Sequence, residues 1–428
     1  MLPRLATLLL VFASAAPSGA QENNQPPAGF RALFNGQELA GWHGEATMSP
    51  AKLAALPETE RQTKQQQWQE DVAQHWTVEA GELVNDGEGV YLTSDDPFGD
   101  IELWVDYQQR PGGDSGVYLR ASPQVQIWDP TVGGDNAVGS GGLYNNQIHP
   151  SKPLLLADKR VGRWNRFRIL QLGSRTSVWL NGKLVVDHAV MENYWDRKRP
   201  LLARGPIQLQ THGGEIHWRN VFVREIPAEE ANELLHGRGG DGFETVFNGK
   251  DFTGWAGPIN NYEVQDGAMV CKPGKGGTIY TAEEYGDFTA RLEFKLPPGG
   301  NSGLAIRYPG RGDTAYVGMC ELQVLDSGHE KWKNLDARQH HGSAYGMVAA
   351  HRGYLRPAGE WNFQEVTVQG SKIRVELNGT EILNTDLSQA SKFLAGSKHP
   401  GKDRASGHFG FAGHSDPVQY RNVSIKRL

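Results

Sequence analysis

Five short motifs occur twice in this chain, in the same order, and that duplication limits the possible folds more than any other feature. Phe34-Asn35-Gly36 with Gly41-Trp42 returns as Phe247-Asn248-Gly249 with Gly254-Trp255. Ser115-Gly116-Val117 returns as Ser302-Gly303-Leu304, and Gly162-Arg163-Trp164-Asn165 as Gly359-Glu360-Trp361-Asn362. Leu180-Asn181-Gly182 matches Leu377-Asn378-Gly379, and Trp218-Arg219-Asn220-Val221 matches Tyr420-Arg421-Asn422-Val423. A repeat of roughly 200 residues is a whole domain rather than a solenoid unit, and a chain of 428 residues has room for two. The first unit is placed at residues 30–226 and the second at 242–428. The linker, 227–241, carries a short helical run from Ala228 to Leu235 and then Gly237-Arg238-Gly239-Gly240, which limits its freedom. Each unit owns a complete set of strands, so each half is expected to fold alone.

Within the units the pattern is that of short alternating strands. In Asn301 to Arg307, Ser302, Leu304 and Ile306 share one side, while Asn301, Gly303, Ala305 and Arg307 share the other. In Glu321 to Asp326, Leu322 and Val324 point one way and Glu321 and Gln323 the other. Strands whose second face combines small residues with Arg, Glu and Gln suit a polar cleft. The first unit repeats the pair as Asp114 to Arg120 and Pro123 to Asp129. Ser177 to Val186 and Lys372 to Leu383 read as hairpins turning on Asn181-Gly182 and Asn378-Gly379, where both turn residues need positive φ. Many short strands and few helical patterns predict an all-β chain, each unit a sandwich of two antiparallel sheets. One segment departs from this. Residues from about Ser49 to Ala73, rich in Ala, Gln, Glu and Lys, predict a helical insertion in the first unit that the second lacks.

Charge and targeting signals narrow the function. A net charge of -6 without a basic block argues against nucleic acid and anionic membranes as partners. Arg4, the apolar run Leu5 to Ala16 and Ser18-Gly19-Ala20 read as a signal peptide over residues 1–20, cleaved near Ala20. No later segment is long enough to span a bilayer, and no Cys follows the run to take a lipid. A periplasmic or secreted protein is expected. The only cysteines, Cys271 and Cys320, can be a disulfide or two buried thiols.

The ordered motifs Phe-Asn-Gly…Gly-Trp, Ser-Gly-(Val/Leu)…Arg, Gln-(Ile/Val)-X-Asp, Gly-X-Trp-Asn, Asn-Gly and Arg-Asn-Val resemble those of the 3-keto-disaccharide hydrolase family, once per repeat. The resemblance implies two tandem concanavalin A-like jelly rolls. It also implies cleavage of glycosides already oxidised to a ketone at C3, by 1,2-elimination and hydration of the 2-hydroxy-glucal, assisted by a divalent metal ion. Such chemistry needs a base for the acidified C2 proton, positive charge or donors at the 3-oxygen and an acid for the leaving group.

In the second unit the candidates are Glu321, Asp326, His341 and His414 for catalysis, with Glu321 and His414 also as metal ligands. Arg307, Gln323 and Tyr345 are candidates for substrate binding. His414 ends the strand His408 to His414; the first unit has Gln208, Gln210 and His212 at matching places. The loop His340 to Gly346 is expected over the cleft, with His341 as acid or base. Candidates in the first unit are Arg120, Gln126, Asp129, Tyr144, Asn145 and His212 for binding sugar. An ion pair between Asp196 and Arg197 is expected to close the loop Glu192 to Arg197. Gln124 stands where the second unit has Glu321, and an amide is no base, so the second unit is the better catalytic candidate. The alternatives are a non-catalytic, lectin-like carbohydrate-binding protein, since such sandwiches often only bind, and an ordinary glucanase with paired carboxylates.

Overall fold

The computed structural model describes residues 23–428; the expected signal peptide lies outside them. Each unit is a sandwich of an eight-stranded and a five-stranded antiparallel sheet. No described helix is long and apolar enough to cross a membrane.

The five-stranded sheet of the second unit runs, edge to edge, Trp255–Ala256, Gly276–Tyr285, Gly407–His414, Asn301–Tyr308 and Cys320–Leu325. In the first unit the equivalent order is Trp42–Glu45, Tyr91–Ser94, Gln208–Leu209, Asp114–Leu119 and Ser122–Trp128. Alternation works here as expected. Ile279, Leu304, Leu322, Val324, Phe409 and Phe411 turn inward and are fully buried against Phe288, Leu292 and Val366 of the facing sheet. The other faces of the same strands are left to polar and small residues. The two hairpins turn as the sequence predicts, with φ of 52° and 80° at Asn181 and Gly182, and 49° and 80° at Asn378 and Gly379.

The insertion forms two helices, Pro50–Ala54 and Glu58–His75, in the first unit. The longer one buries Trp68 and Val72. It comes so close to the edge strand that a Cβ on Gly44 would lie 2.4 Å from the Trp68 carbonyl oxygen. Cys271 and Cys320 are two separate buried thiols.

Each unit has its own core, and a third cluster joins them. Leu170, Leu172 and Ile226 of the first unit, Phe363 of the second, and Ala231 and Leu235 of the linker helix Ala228–Gly237 pack together. Polar contacts reinforce this seam. Arg175 pairs with the buried Glu376, and the Ser174 amide donates to the Gly379 carbonyl at 3.1 Å. Tyr354 donates its hydroxyl to the Leu201 carbonyl at 3.1 Å. The linker is therefore a structural element of both units.

Candidate active site

The register of the second five-stranded sheet sets Ala305 opposite Glu321 and Gly303 opposite Gln323, with Ala412 on the far side of Gly303. Glu321, Gln323, Gly303, Ala305, Ala412 and His414 therefore share one face, together with Thr278, which pairs with Ala412. The Glu321 side chain reaches over Gly303, where a Cβ would stand 2.2 Å from its Oε1. Glycine is required there by space, not by backbone conformation. At the end of this reach His414 Nε2 lies 3.5 Å from Glu321 Oε1. The Glu321 side chain is 5% exposed and that of His414 46%, so the pair joins a buried carboxylate to a solvent-accessible imidazole. Hydrogen bonding to Glu321 raises the His414 pKa above its ordinary 6.5 against the opposing effect of burial. Gln323 is fixed beside them, donating to Asn301 Oδ1 at 2.6 Å. Tyr345 flanks Glu321, its amide donating to the Glu321 carbonyl at 2.9 Å, and its hydroxyl accepts from Gln339 at 3.0 Å.

Five expected site residues in this unit and its counterpart lie elsewhere. Arg307 does not face the cleft. A bulge between Ala305 and Tyr308 and a φ of 48° at Arg307 break the alternation. The guanidinium is buried, donating to the carbonyls of Gly286, Gly370 and Arg404 and to Asp287. Arg120 repeats this in the first unit, with φ 53° and bonds to the Leu202 and Gly99 carbonyls and to Asp100. Both arginines anchor loops. His341 sits between the sheets against the Phe294 ring, centroids 5.0 Å apart. Burial pushes its pKa down to about 3, and its Nδ1 accepts from the Leu325 amide. Ser140 does the same for the Trp128 amide in the first unit, at 3.0 Å, so the position satisfies backbone and supplies no acid to the cleft. Asp326 accepts from the Gly299 amide at 2.9 Å, and Asp129 from Gly112 at 2.8 Å. These carboxylates clamp turns. The expected Asp196–Arg197 pair is replaced by Arg197 with Glu192 at 2.8 Å.

The first unit keeps the scaffold and fills the face. Tyr118, Gln208 and Gln210 take the register positions of Ala305, Gly410 and Ala412. All three are buried and bond locally: Gln210 Nε2 with Tyr91 at 3.3 Å, Tyr118 with Tyr91 at 3.5 Å, and Gln208 with Thr93 at 3.0 Å, while Gln210 Oε1 has no partner among the described residues. Gln124 donates to Gln126, and Gln126 to Asp114 Oδ1 at 2.7 Å. His212 is mostly exposed, 3.3 Å from Asp114. Tyr144 is half exposed against Trp128, and Asn145 is partly exposed. Asp114 was not among the sequence candidates, nor were Thr278 and Thr314, whose hydroxyls meet at 2.6 Å. Alternation from the buried Ile279 would have placed Thr278 on this face.

With this geometry established, comparison with known proteins identifies the family. The sequence profile of the 3-keto-alpha-glucoside-1,2-lyase-like domain matches residues 29–224 and again 242–426. The chain belongs to this family. It is 28% identical over 249 residues to a 3-keto-disaccharide hydrolase of Bacteroides thetaiotaomicron, covering 48% of this chain and 86% of that protein. A solved structure from Parabacteroides distasonis ATCC 8503, described as a "Putative glycosyl hydrolase", shares 26% identity. It covers 44% of this chain and 99% of its own, with a TM-score of 0.40. A Bacillus subtilis protein of unknown function with a galectin-like fold matches at 12% identity, over 43% of this chain and 94% of its own, with a TM-score of 0.30. The two profile matches coincide with the two sandwiches, so the family's domain is present twice.

The family resemblance implies a divalent cation. Glu321 and His414 bring two donors together, and no group of three or more His, Cys, Asp or Glu forms a metal site among the described residues. Catalytic zinc centres ordinarily use three protein ligands. The pair falls short of that, and no step is assigned to a cation here.

Proposed function

We propose that this is an exported enzyme that cleaves 3-keto-glycosides by elimination and hydration in its second sandwich. The observation that carries the reading is the Glu321–His414 pair on a face lined by Gly303, Ala305 and Ala412. A ketone at C3 acidifies the proton on C2. The Glu321 carboxylate takes that proton, the C2–H electrons form the C1=C2 bond, and the bond from C1 to the leaving oxygen breaks. His414, whose proton affinity is raised by the hydrogen bond to Glu321, gives its proton to the departing oxygen. In the second half water adds across C1=C2. Neutral His414 takes a proton from the attacking water, whose oxygen bonds to C1, and Glu321 returns its proton to C2. Both groups end as they began, and one water has been consumed. The family membership supports the substrate class, and the leader over residues 1–20 supports export.

The first sandwich has an amide, Gln124, in place of the carboxylate and a face occupied by its own side chains, which favours a non-catalytic role for that copy. The test is to incubate the full chain with a 3-keto-glucoside, with and without chelator, beside Glu321→Gln. Aglycone release by the parent chain and not by the variant is the expected result. Retention of the intact compound by both would establish the lectin-like alternative.

A further inference from the structure

The filled face of the first sandwich has a cavity beside it. Trp128 is the last residue of the strand Ser122–Trp128 and alternates onto the same side as Gln124 and Gln126. The turns Pro130–Val132 and Gly134–Val138 lead the chain away. It returns at Gly141, whose amide donates to the Gln126 carbonyl at 2.8 Å. Between strand and return lies a cavity of about 220 Å³ lined by Trp128, Asp135, Val138, Tyr144, Ser151 and Lys152, among others. That is below the range of about 300–1,000 Å³ usual for drug-sized ligands and suits a single ring.

Its lining combines one aromatic platform with uncommitted polar groups. Tyr144 is 50% exposed, and its ring is braced edge-on against Trp128, with centroids 4.7 Å apart and planes at 70°. The side chains of Asp135, Ser151 and Lys152 and the Tyr144 hydroxyl make no hydrogen bond or ion pair with any described residue. In the second sandwich the counterpart tyrosine, Tyr345, is engaged by Gln339 and Leu325 replaces Trp128, so the second copy does not repeat this lining. One carboxylate and one ammonium give the rim no net charge, which disfavours an ionic ligand. An exposed ring for the apolar face of a pyranose, with donors and acceptors around it for hydroxyls, matches a neutral sugar.

We infer that the first sandwich binds a neutral pyranose unit of a carbohydrate in this cavity, stacked on Tyr144. The site is independent of the elimination assigned to the second sandwich. The test uses the full chain carrying fluorinated tyrosine, with methyl α-D-glucopyranoside as the probe. The Tyr144 ¹⁹F resonance is identified by its loss in Tyr144→Phe. Its saturable movement with the probe is expected, as is at least a tenfold weakening of that response in Val138→Trp, which fills the cavity. The remaining ¹⁹F resonances report whether the variant is folded, and Ser151→Trp provides a second block if it is not. A Tyr144 resonance that stays still while the probe is raised, or that moves equally in the folded blocked variants, overturns the inference.

Discussion

Gly303→Ala tests the site through geometry alone. The new Cβ would stand 2.2 Å from Glu321 Oε1 and 2.4 Å from its Cδ, and ordinary contact begins at 3.4 Å. The Glu321 side chain therefore has to retreat by about 1.2 Å or swing to another rotamer. The obstructed atoms run from Oε1 back to Cγ, also at 2.4 Å, so the whole Glu321 side chain has to turn, and no backbone atom stands in the way. Gly303 has no positive φ to lose. Alanine removes unfolded-state entropy that would add roughly 0.5 kcal/mol of stability, against about 1 kcal/mol for an off-rotamer carboxylate. The melting temperature should move by only a few degrees. A displacement of about 1 Å in a reacting group lowers the rate on the order of a hundredfold, and that fall in kcat/KM for aglycone release is expected. Gly116→Ala is the matched control. Its Cβ would meet Gln210 Oε1 at 3.0 Å, a milder clash in a copy assigned no chemistry, and turnover should not change. Parent-level turnover in Gly303→Ala, with the carboxylate shown by structure to have moved, would refute the assignment of Glu321 as base.

Glu321→Gln should preserve the fold and reduce kcat by about 10²–10⁴, and an NMR titration should show the His414 pKa falling back toward 6.5 as its charged neighbour is lost. Because the folded His414 pKa is raised, its ion pair contributes stability that is fully present below about pH 6.5 and is lost as pH rises through the folded value. Elimination, which uses the imidazolium, should fall over the same upper window in a pH–kcat profile, and the Glu321→Gln melting curve should lack this component. Phe363→Ala removes a fully buried ring from the seam between sandwiches and should cost about 3–5 kcal/mol in denaturant unfolding. Residues 30–226 expressed alone should expose Leu170, Leu172 and Ile226 and be less stable than the same sandwich within the chain. Equal stability would mean that the seam is not a shared core.

Much of this arrangement was legible in the sequence because strands obey a period of two. The faces of Glu321, Gln323, Leu322 and Val324 follow from alternation, and the duplication from ordered motifs. Arg307 and Arg120 were misplaced where a bulge and a positive φ reverse the side chain, which no residue count detects. His341 was misplaced because its role is a hydrogen bond to a backbone amide sixteen residues away. Only comparison with Ser140 in the other copy reveals that role. Asp114 and Thr278 were missed because their neighbours come from sheet order rather than chain order. The expectation that each half folds alone took strand number as the criterion, and Phe363 shows that a complete strand set can still lack part of its packing.

The seam also bears on how such a duplicated chain changes over time. Phe363 packs on Leu170 and Leu172, and Arg175 reaches across to Glu376, so the first sandwich completes its neighbour whatever its own chemistry. Deleting it would uncover greasy surface and take from Glu376 one of its two arginine partners, leaving it Arg238. Replacing either half with a foreign relative would break the same fit. Retention of the first copy is then a matter of architecture, which leaves its concave side open to a different task.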